Sequence, residues 1–169
     1  MGIEIIYIVD AILVGVGATL IMDLWALFLK YSFKIPSLNY CLVGRWLCYM
    51  PTGTFKHTSI AAATQKQYEC VVGWVAHYLI GAGFAVVLVM YASASWLENP
   101  NLLPALLFGI GTVTIPFLIM QPSFGLGIAA TKTPNPTQAR LRSLIAHTVF
   151  GIGLYLCALL LSPLLQWLA

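Results

Sequence analysis

The chain is 169 residues long, 60% hydrophobic and 8% charged, with a mean hydropathy of +0.91. A soluble domain carries about 25% charged residues, so too few water-facing side chains are present to cover a folded surface. Disorder, a basic nucleic-acid binder and an ordinary soluble enzyme are therefore excluded, and the eight Lys and Arg against five Asp and Glu matter by position more than by their sum of +3. The composition is that of a small multi-pass protein whose solvent is the lipid bilayer.

Four apolar stretches approach or exceed the ~20 residues that cross a bilayer as helix. The first covers about 5–29 and is interrupted by Asp10 and Asp23. It is not expected to be a cleavable signal, because it lacks a basic leading region and a small-x-small cleavage site. Met1-Gly2 without Ser or Thr at position 6 gives no myristoylation motif. The insert IPSLNYCLVGRWLCY (35–49) is too short and interrupted to span, so it is expected to lie at the interface or re-enter partway. A Pro/Gly turn, Met50–His57, returns the chain to the second stretch, about 70–92, and a lone His57 there reads as a solvated loop residue. His77 is the only His, Asp, Glu, Lys or Arg of the second stretch after Glu69. The third, about 102–121, carries Pro104 and Pro116, and Pro116 should kink it. A Gly-rich break at Gln121–Gly127 follows. Asn135 then suits an N-cap and Pro136 the first helical position, so the last helix should begin before its apolar stretch, about 144–168, with His147 near the start. Helices are expected because lipid offers the backbone no partners and no alternating barrel pattern is present.

All eight basic residues fall in two places. Lys30, Lys34, Arg45, Lys56 and Lys66 lie between the first two stretches, and Lys132, Arg140 and Arg142 between the last two. The positive-inside rule puts both loops in the cytoplasm and both termini outside. Trp96 and Trp167 then fall at the outer interface, with Trp25, Tyr31 and Trp46 near the inner one, as aromatic belts. Cys41, Cys48, Cys70 and Cys157 lack paired CxxC spacing and are expected to be reduced thiols, neither a zinc site nor a disulfide frame.

The chain also echoes itself. Ala76-His77-x3-Gly81-x-Gly83 matches Ala146-His147-x3-Gly151-x-Gly153, Ile60–Lys66 echoes Ile128–Lys132, and Gly15-x-Gly17 echoes Gly109-x-Gly111. Three echoes in one order indicate a duplication. The expected fold is thus an all-α, polytopic single domain over 1–169, its four transmembrane helices arranged as two parallel helix–loop–helix pseudo-repeats, about 5–92 and 102–169.

With that topology, Asp23, His77, Gln121 and His147 fall in the inner half of the membrane, roughly 5–10 Å below the cytoplasmic interface. Ionisable groups at such depth are costly, face the bundle interior and pair with one another. Gly73, His77 and Gly81 share one helix face, as do Ser143, His147 and Gly151, so a helix backbone or a flat ligand could approach closely. One reading of these faces is a crossing of the second and fourth helices, each histidine hydrogen-bonded as interhelical glue. Another is a proton- or ion-linked small-solute transporter or channel, with Asp23 and His77 carrying charge and His147 and Gln121 completing coordination. A bis-His haem b between His77 and His147, in an electron carrier, is an alternative, as is an accessory or structural subunit of a larger membrane complex. Arg140, Arg142 and Lys132 sit where they can meet lipid phosphates, or hold an anionic substrate near a helix N-terminus. No nucleophile elbow, HExxH or phosphate loop is present, so a non-enzyme is favoured and no catalytic residue is assigned. Gly-rich faces on so short a chain also favour a homo-oligomer.

Several strings, Gly15-Val-Gly-Ala-Thr-Leu-Ile-Met-Asp-Leu-Trp25, Pro36-Ser-Leu-Asn-Tyr40, Gly73-Trp-Val-Ala-His77-Tyr78 and Thr133-Pro-Asn-Pro-Thr-Gln-Ala-Arg140, resemble a domain-of-unknown-function family of small bacterial inner-membrane proteins. The resemblance covers nearly the whole chain and implies a bacterial four-helix membrane protein. It implies no activity.

Overall fold

The computed structural model describes residues 5–168. Met1–Glu4 and Ala169 lie outside it, as do the side chains of 5, 6 and 164–168, so the myristoylation reading at Gly2 and the interfacial Trp167 fall beyond the described residues. Helix makes up 76% of the chain, with no strand among the described residues. Four helical segments are long and apolar enough to cross a membrane: Tyr7–Phe33, Glu69–Ala92, Leu102–Ser123 and Pro136–Pro163. At 1.5 Å per residue the 24-residue segment is about 36 Å long, against an apolar core of about 30 Å. Only 22–28% of the central window of each segment is buried within the chain. The rest, including Leu13, Leu20, Leu79, Met90, Leu107 and Leu160, turns outward to a surface that only lipid suits.

In chain order the helices are α1 (Ile5–Phe33), α2 (Tyr40–Tyr49), α3 (Glu69–Ala92), α4 (Ser95–Glu98), α5 (Leu102–Gly111), α6 (Gln121–Ser123) and α7 (Pro136–Leu168). Short 3-10 turns lie at Met50–Thr52 and Ile128–Ala130. The 35–49 insert contains α2, too short to span, as expected. The last helix starts at Pro136, and the Ala139 N–H donates to the Asn135 carbonyl, so the Asn-Pro signal marks its first turn. Pro116 does more than kink the third span. Lacking an N–H, it cannot continue the ladder, and after α5 the chain passes through a turn into a π-helical stretch, Pro116–Met120, where the Gln121 N–H reaches back to the Pro116 carbonyl.

The residues fall into two compact units. The first comprises Met1–Pro36, Tyr78–Gly111 and Ala146–Ala169. Its core is built from small residues as much as large ones: Ala11, Ala18, Ala85, Ala105 and Ala158 are wholly buried beside Leu88, Leu97 and Leu154. Such residues let helix backbones touch, which is how helices gain packing energy in lipid. A Cβ on Gly15 would lie 2.6 Å from the Ala82 Cα, and one on Gly109 would lie 2.6 Å from the Gly151 N. The glycine faces thus pair α1 with α3 and α5 with α7, whereas the sequence had suggested a crossing of the second and fourth spans. Trp96, expected in an outer aromatic belt, is instead buried in this core, with its indole N–H on the Asn101 carbonyl.

The second unit comprises Ser37–His77 and Thr112–Ile145. Here α2 lies across the start of α3, and the crossing has no room for side chains. A Cβ on Gly44 would overlap the Glu69 carbonyl, and one on Gly73 would overlap that of Tyr40. Cys41 and Cys70 are joined by a disulfide beside this crossing, which corrects the expectation of four reduced thiols; Cys48 and Cys157 are free. Spacing could not reveal the pair, since 29 residues separate the two cysteines and only the α2–α3 crossing brings them together.

Glycine substitutions should divide sharply. Gly44→Ala and Gly73→Ala force backbone apart and should lower the melting temperature in detergent by about 2–12 °C. Gly83→Ala and Gly111→Ala place a methyl in open space and should leave it unchanged or slightly raised.

Candidate functional site

The polar centre of the second unit is Arg45. Asn39 starts α2 by accepting the Cys41 N–H on its side chain, and the helix turns Val43, Gly44 and Arg45 inward. The Arg45 side chain is 6% exposed and that of Glu69 10%. Arg45 Nε donates to Glu69 Oε2 at 2.8 Å and Nη2 to Oε1 at 2.7 Å, a two-point fork on the carboxylate. Nη1 donates to the carbonyls of Ile60, Ala61 and Ala63 at 3.0–3.2 Å. The Glu69 hydrogen bonds hold the guanidinium pKa above its ordinary value. One arginine therefore ties α2, the irregular 60–63 segment and the first residue of a membrane helix together. The sequence reading had used Arg45 only as a marker of orientation. The signal that could have found it is an arginine inside an otherwise apolar ten-residue helix, with one acid poised where the next span begins.

Around this centre the two Gly/Pro-rich loop segments meet. The His57 N–H donates to the Ser123 carbonyl at 2.9 Å and the Ile60 N–H to that of Phe124 at 3.1 Å. Gly125, at φ +85°, lies against the Thr58 carbonyl, where a Cβ would overlap it. Trp46 fixes the same region by donating to the Phe55 carbonyl and meeting Phe124 edge-on. His57 was expected in water, yet its ring stands edge-on to Tyr49 and its Nε2 is enclosed without a partner. Gln121, expected among the intramembrane polar groups, is 6% exposed, and its Oε1 too is enclosed without a partner. It directly follows the π stretch, and its N–H closes that stretch on the Pro116 carbonyl.

His77, near the first-unit boundary of α3, stacks on Tyr40 of α2 at 4.1 Å, with Trp74 edge-on at 5.9 Å. The room that Gly73 makes is taken by α2, that of Gly81 by α1 and that of Gly151 by α5, so helix backbones account for glycines that a flat ligand would also have used. Arg140 is exposed and donates Nε to the Ala129 carbonyl at 2.8 Å, while Arg142 is half-buried.

In the first unit, Asp23 is 9% exposed within an apolar span and accepts the Tyr78 hydroxyl on Oδ2 at 2.9 Å. Tyr78 adjoins His77 in sequence and was not considered. A second tyrosine–carboxylate pair joins Tyr7 to Glu98 at 2.9 Å. Asp10, read at first as an interruption, is 7% exposed with an enclosed, unpartnered Oδ2. His147 belongs to this unit, half-buried at its edge. Among the described residues no three His, Cys, Asp or Glu side chains stand close enough to hold a metal ion.

Four apolar helices with buried carboxylates and a polar knot at the loop ends define a multi-pass integral membrane protein. The chain belongs to the DUF2938 family, described as proteins of unknown function, whose model matches residues 12–161. No curated protein and no solved structure matches it.

Removing one partner of the buried ion pair strands the other. Arg45→Ala and Glu69→Ala should each cost about 3–5 kcal/mol in a detergent unfolding titration. Arg45→Lys should recover little, since an ammonium cannot reproduce the fork and the carbonyl contacts. The Arg45→Met/Glu69→Leu double variant should be less destabilised than the two alanine variants summed.

Proposed function

We propose that the protein carries a small solute across the bacterial inner membrane, coupled to a proton or another ion, with both termini outside and the two basic loops in the cytoplasm. The observation that carries this reading is Asp23. A carboxylate inside an apolar span costs several kcal/mol by any insertion scale and is kept where it binds or relays charge. Its Tyr78 partner is suited to that task, because a phenol can donate to the carboxylate and turn away when a proton or cation takes its place. Within the second unit, Gln121 is a buried acceptor with spare capacity beside the π stretch, a helix defect common where ligands bind. His77 in that unit and His147 in the first are further candidate groups, each within its own unit. Arg140, Arg142 and Lys132 attract anionic solutes or lipid headgroups to the loop face.

The duplication supports a transporter architecture with its axis along the membrane normal. In its support, the aligned glycines make aligned contacts, Gly15 on Gly81 and Gly109 on Gly151. The aligned carbonyls of Ala61 and Ala129 also each accept an arginine N–H, from Arg45 and Arg140 respectively. The orientation rests on the eight basic residues, which in the sequence all fall between the first two apolar stretches or between the last two.

Purified protein in proteoliposomes, loaded with a pH-sensitive dye and offered a panel of small amines, acids and neutral metabolites, should acidify or alkalinise the lumen with one solute class. Asp23→Asn should slow that flux at least tenfold and Tyr78→Phe several-fold, while Thr52→Ala stays near wild type. No flux with any class, or an unchanged rate in Asp23→Asn, sinks the mechanism. Stoichiometric co-purification with a larger complex would then point to an accessory subunit.

A further inference from the structure

The disulfide Cys41–Cys70 is reachable: Cys70 is exposed and Cys41 half-buried. The Gly44–Gly73 crossing and the Arg45–Glu69 fork join α2 to α3 beside it. What it adds is covalent closure of residues 41–70, the segment whose His57 and Ile60 N–H groups bind the 123–124 carbonyls. Its place is unusual. Lys30, Lys34, Arg45, Lys56 and Lys66 all flank or lie within this closed segment, and so many basic residues mark a cytoplasmic loop, where dithiols keep cysteines reduced.

We propose that Cys41–Cys70 is a thiol–disulfide exchange site for a cytoplasmic dithiol, and that its opening loosens the pairing of the 57–60 segment with residues 123–125. This rests on the loop orientation given above. A dithiol thiolate attacks the exposed Cys70 sulfur, forming a mixed disulfide and expelling Cys41 as thiolate, which takes a proton. The second thiol of the dithiol then attacks its own sulfur in that mixed bond and releases Cys70. Two electrons and two protons pass to the protein, and the dithiol leaves as a cyclic disulfide. Oxidation reverses the same two steps.

The test uses a Cys48→Ser/Cys157→Ser background, so that only the pair reports. Cells are acid-quenched and labelled with a mass-tagged maleimide, and orientation is fixed separately by a C-terminal reporter. Growing cells should show two tags, diamide-treated cells none, and recovery should restore both. A membrane-impermeant phosphine should open the bond in inverted vesicles and leave right-side-out ones untouched. Amide exchange across 54–60 should rise at least several-fold on opening, and Cys41→Ser/Cys70→Ser should show the faster exchange without reductant. A pair untagged in growing cells but opened in inverted vesicles overturns the exchange site while leaving the orientation intact. A pair opened only in right-side-out vesicles, with the reporter cytoplasmic, overturns the orientation and the site with it. Two tags persisting after diamide, or exchange that ignores the redox state, also refutes the proposal.

Discussion

A single guanidinium organises the second unit. Charges are expensive to bury, and the penalty is offset only when every donor finds an acceptor and the countercharge is met in good geometry. Arg45 is bonded at all three of its nitrogens, with Nε and Nη2 forked on Glu69 and Nη1 on three carbonyls of a segment that forms no regular ladder. Irregular backbone packed against other segments needs such a partner, because its enclosed carbonyls have no helix ladder to join. Glu69 is fixed in turn by the Lys66 N–H at 2.8 Å, so the carboxylate also caps the entry to α3 where the helix dipole favours negative charge. Loop, short helix and membrane helix share one electrostatic solution.

The rest of the packing follows from what lipid cannot supply. Acyl chains match leucine in apolarity, so helices gain nothing by merely hiding leucines from them. The gain comes from closer approach, and the alanines and glycines at the centre of the first unit provide it, while leucines such as Leu13, Leu20 and Leu79 turn outward. In the second unit Gly44 and Gly73 serve the same end, and their contact sets the register that brings Cys41 to Cys70 and Tyr40 to His77.

The spans were legible because their signal is one of length and composition, summed over twenty residues or more. The start of α7 was legible because Asn135 and Pro136 act locally. Pro116 was legible as a break, though which helix type would absorb it was not. The site was legible only as residue types. Asp23 and Gln121 stood out by being polar within apolar runs, and both are buried. Arg45, Glu69 and the disulfide were hidden because their partners lie 24 and 29 residues apart. His57 is half-buried rather than solvated, because its ring stands against Tyr49 and its backbone N–H is bonded to Ser123 of a segment remote in sequence.

Partnered and unpartnered groups divide the polar residues into two kinds. Arg45 and Glu69 are bonded at all three guanidinium nitrogens and at both carboxylate oxygens, which suits the pair to hold backbone in place. Gln121 Oε1 and His57 Nε2 are enclosed by the same unit yet keep unused capacity, in a region where the Arg45 network has fixed the backbone on either side. An enclosed acceptor without a donor costs about 1–3 kcal/mol, a penalty a fold can relieve by substituting an apolar residue of similar size. Gln121 Oε1 bears such a cost in the third span, whereas the Arg45–Glu69 pair bears none. The two kinds differ in what they can do: the ion pair holds backbone in place, while the unpartnered oxygen and nitrogen can each still accept one hydrogen bond.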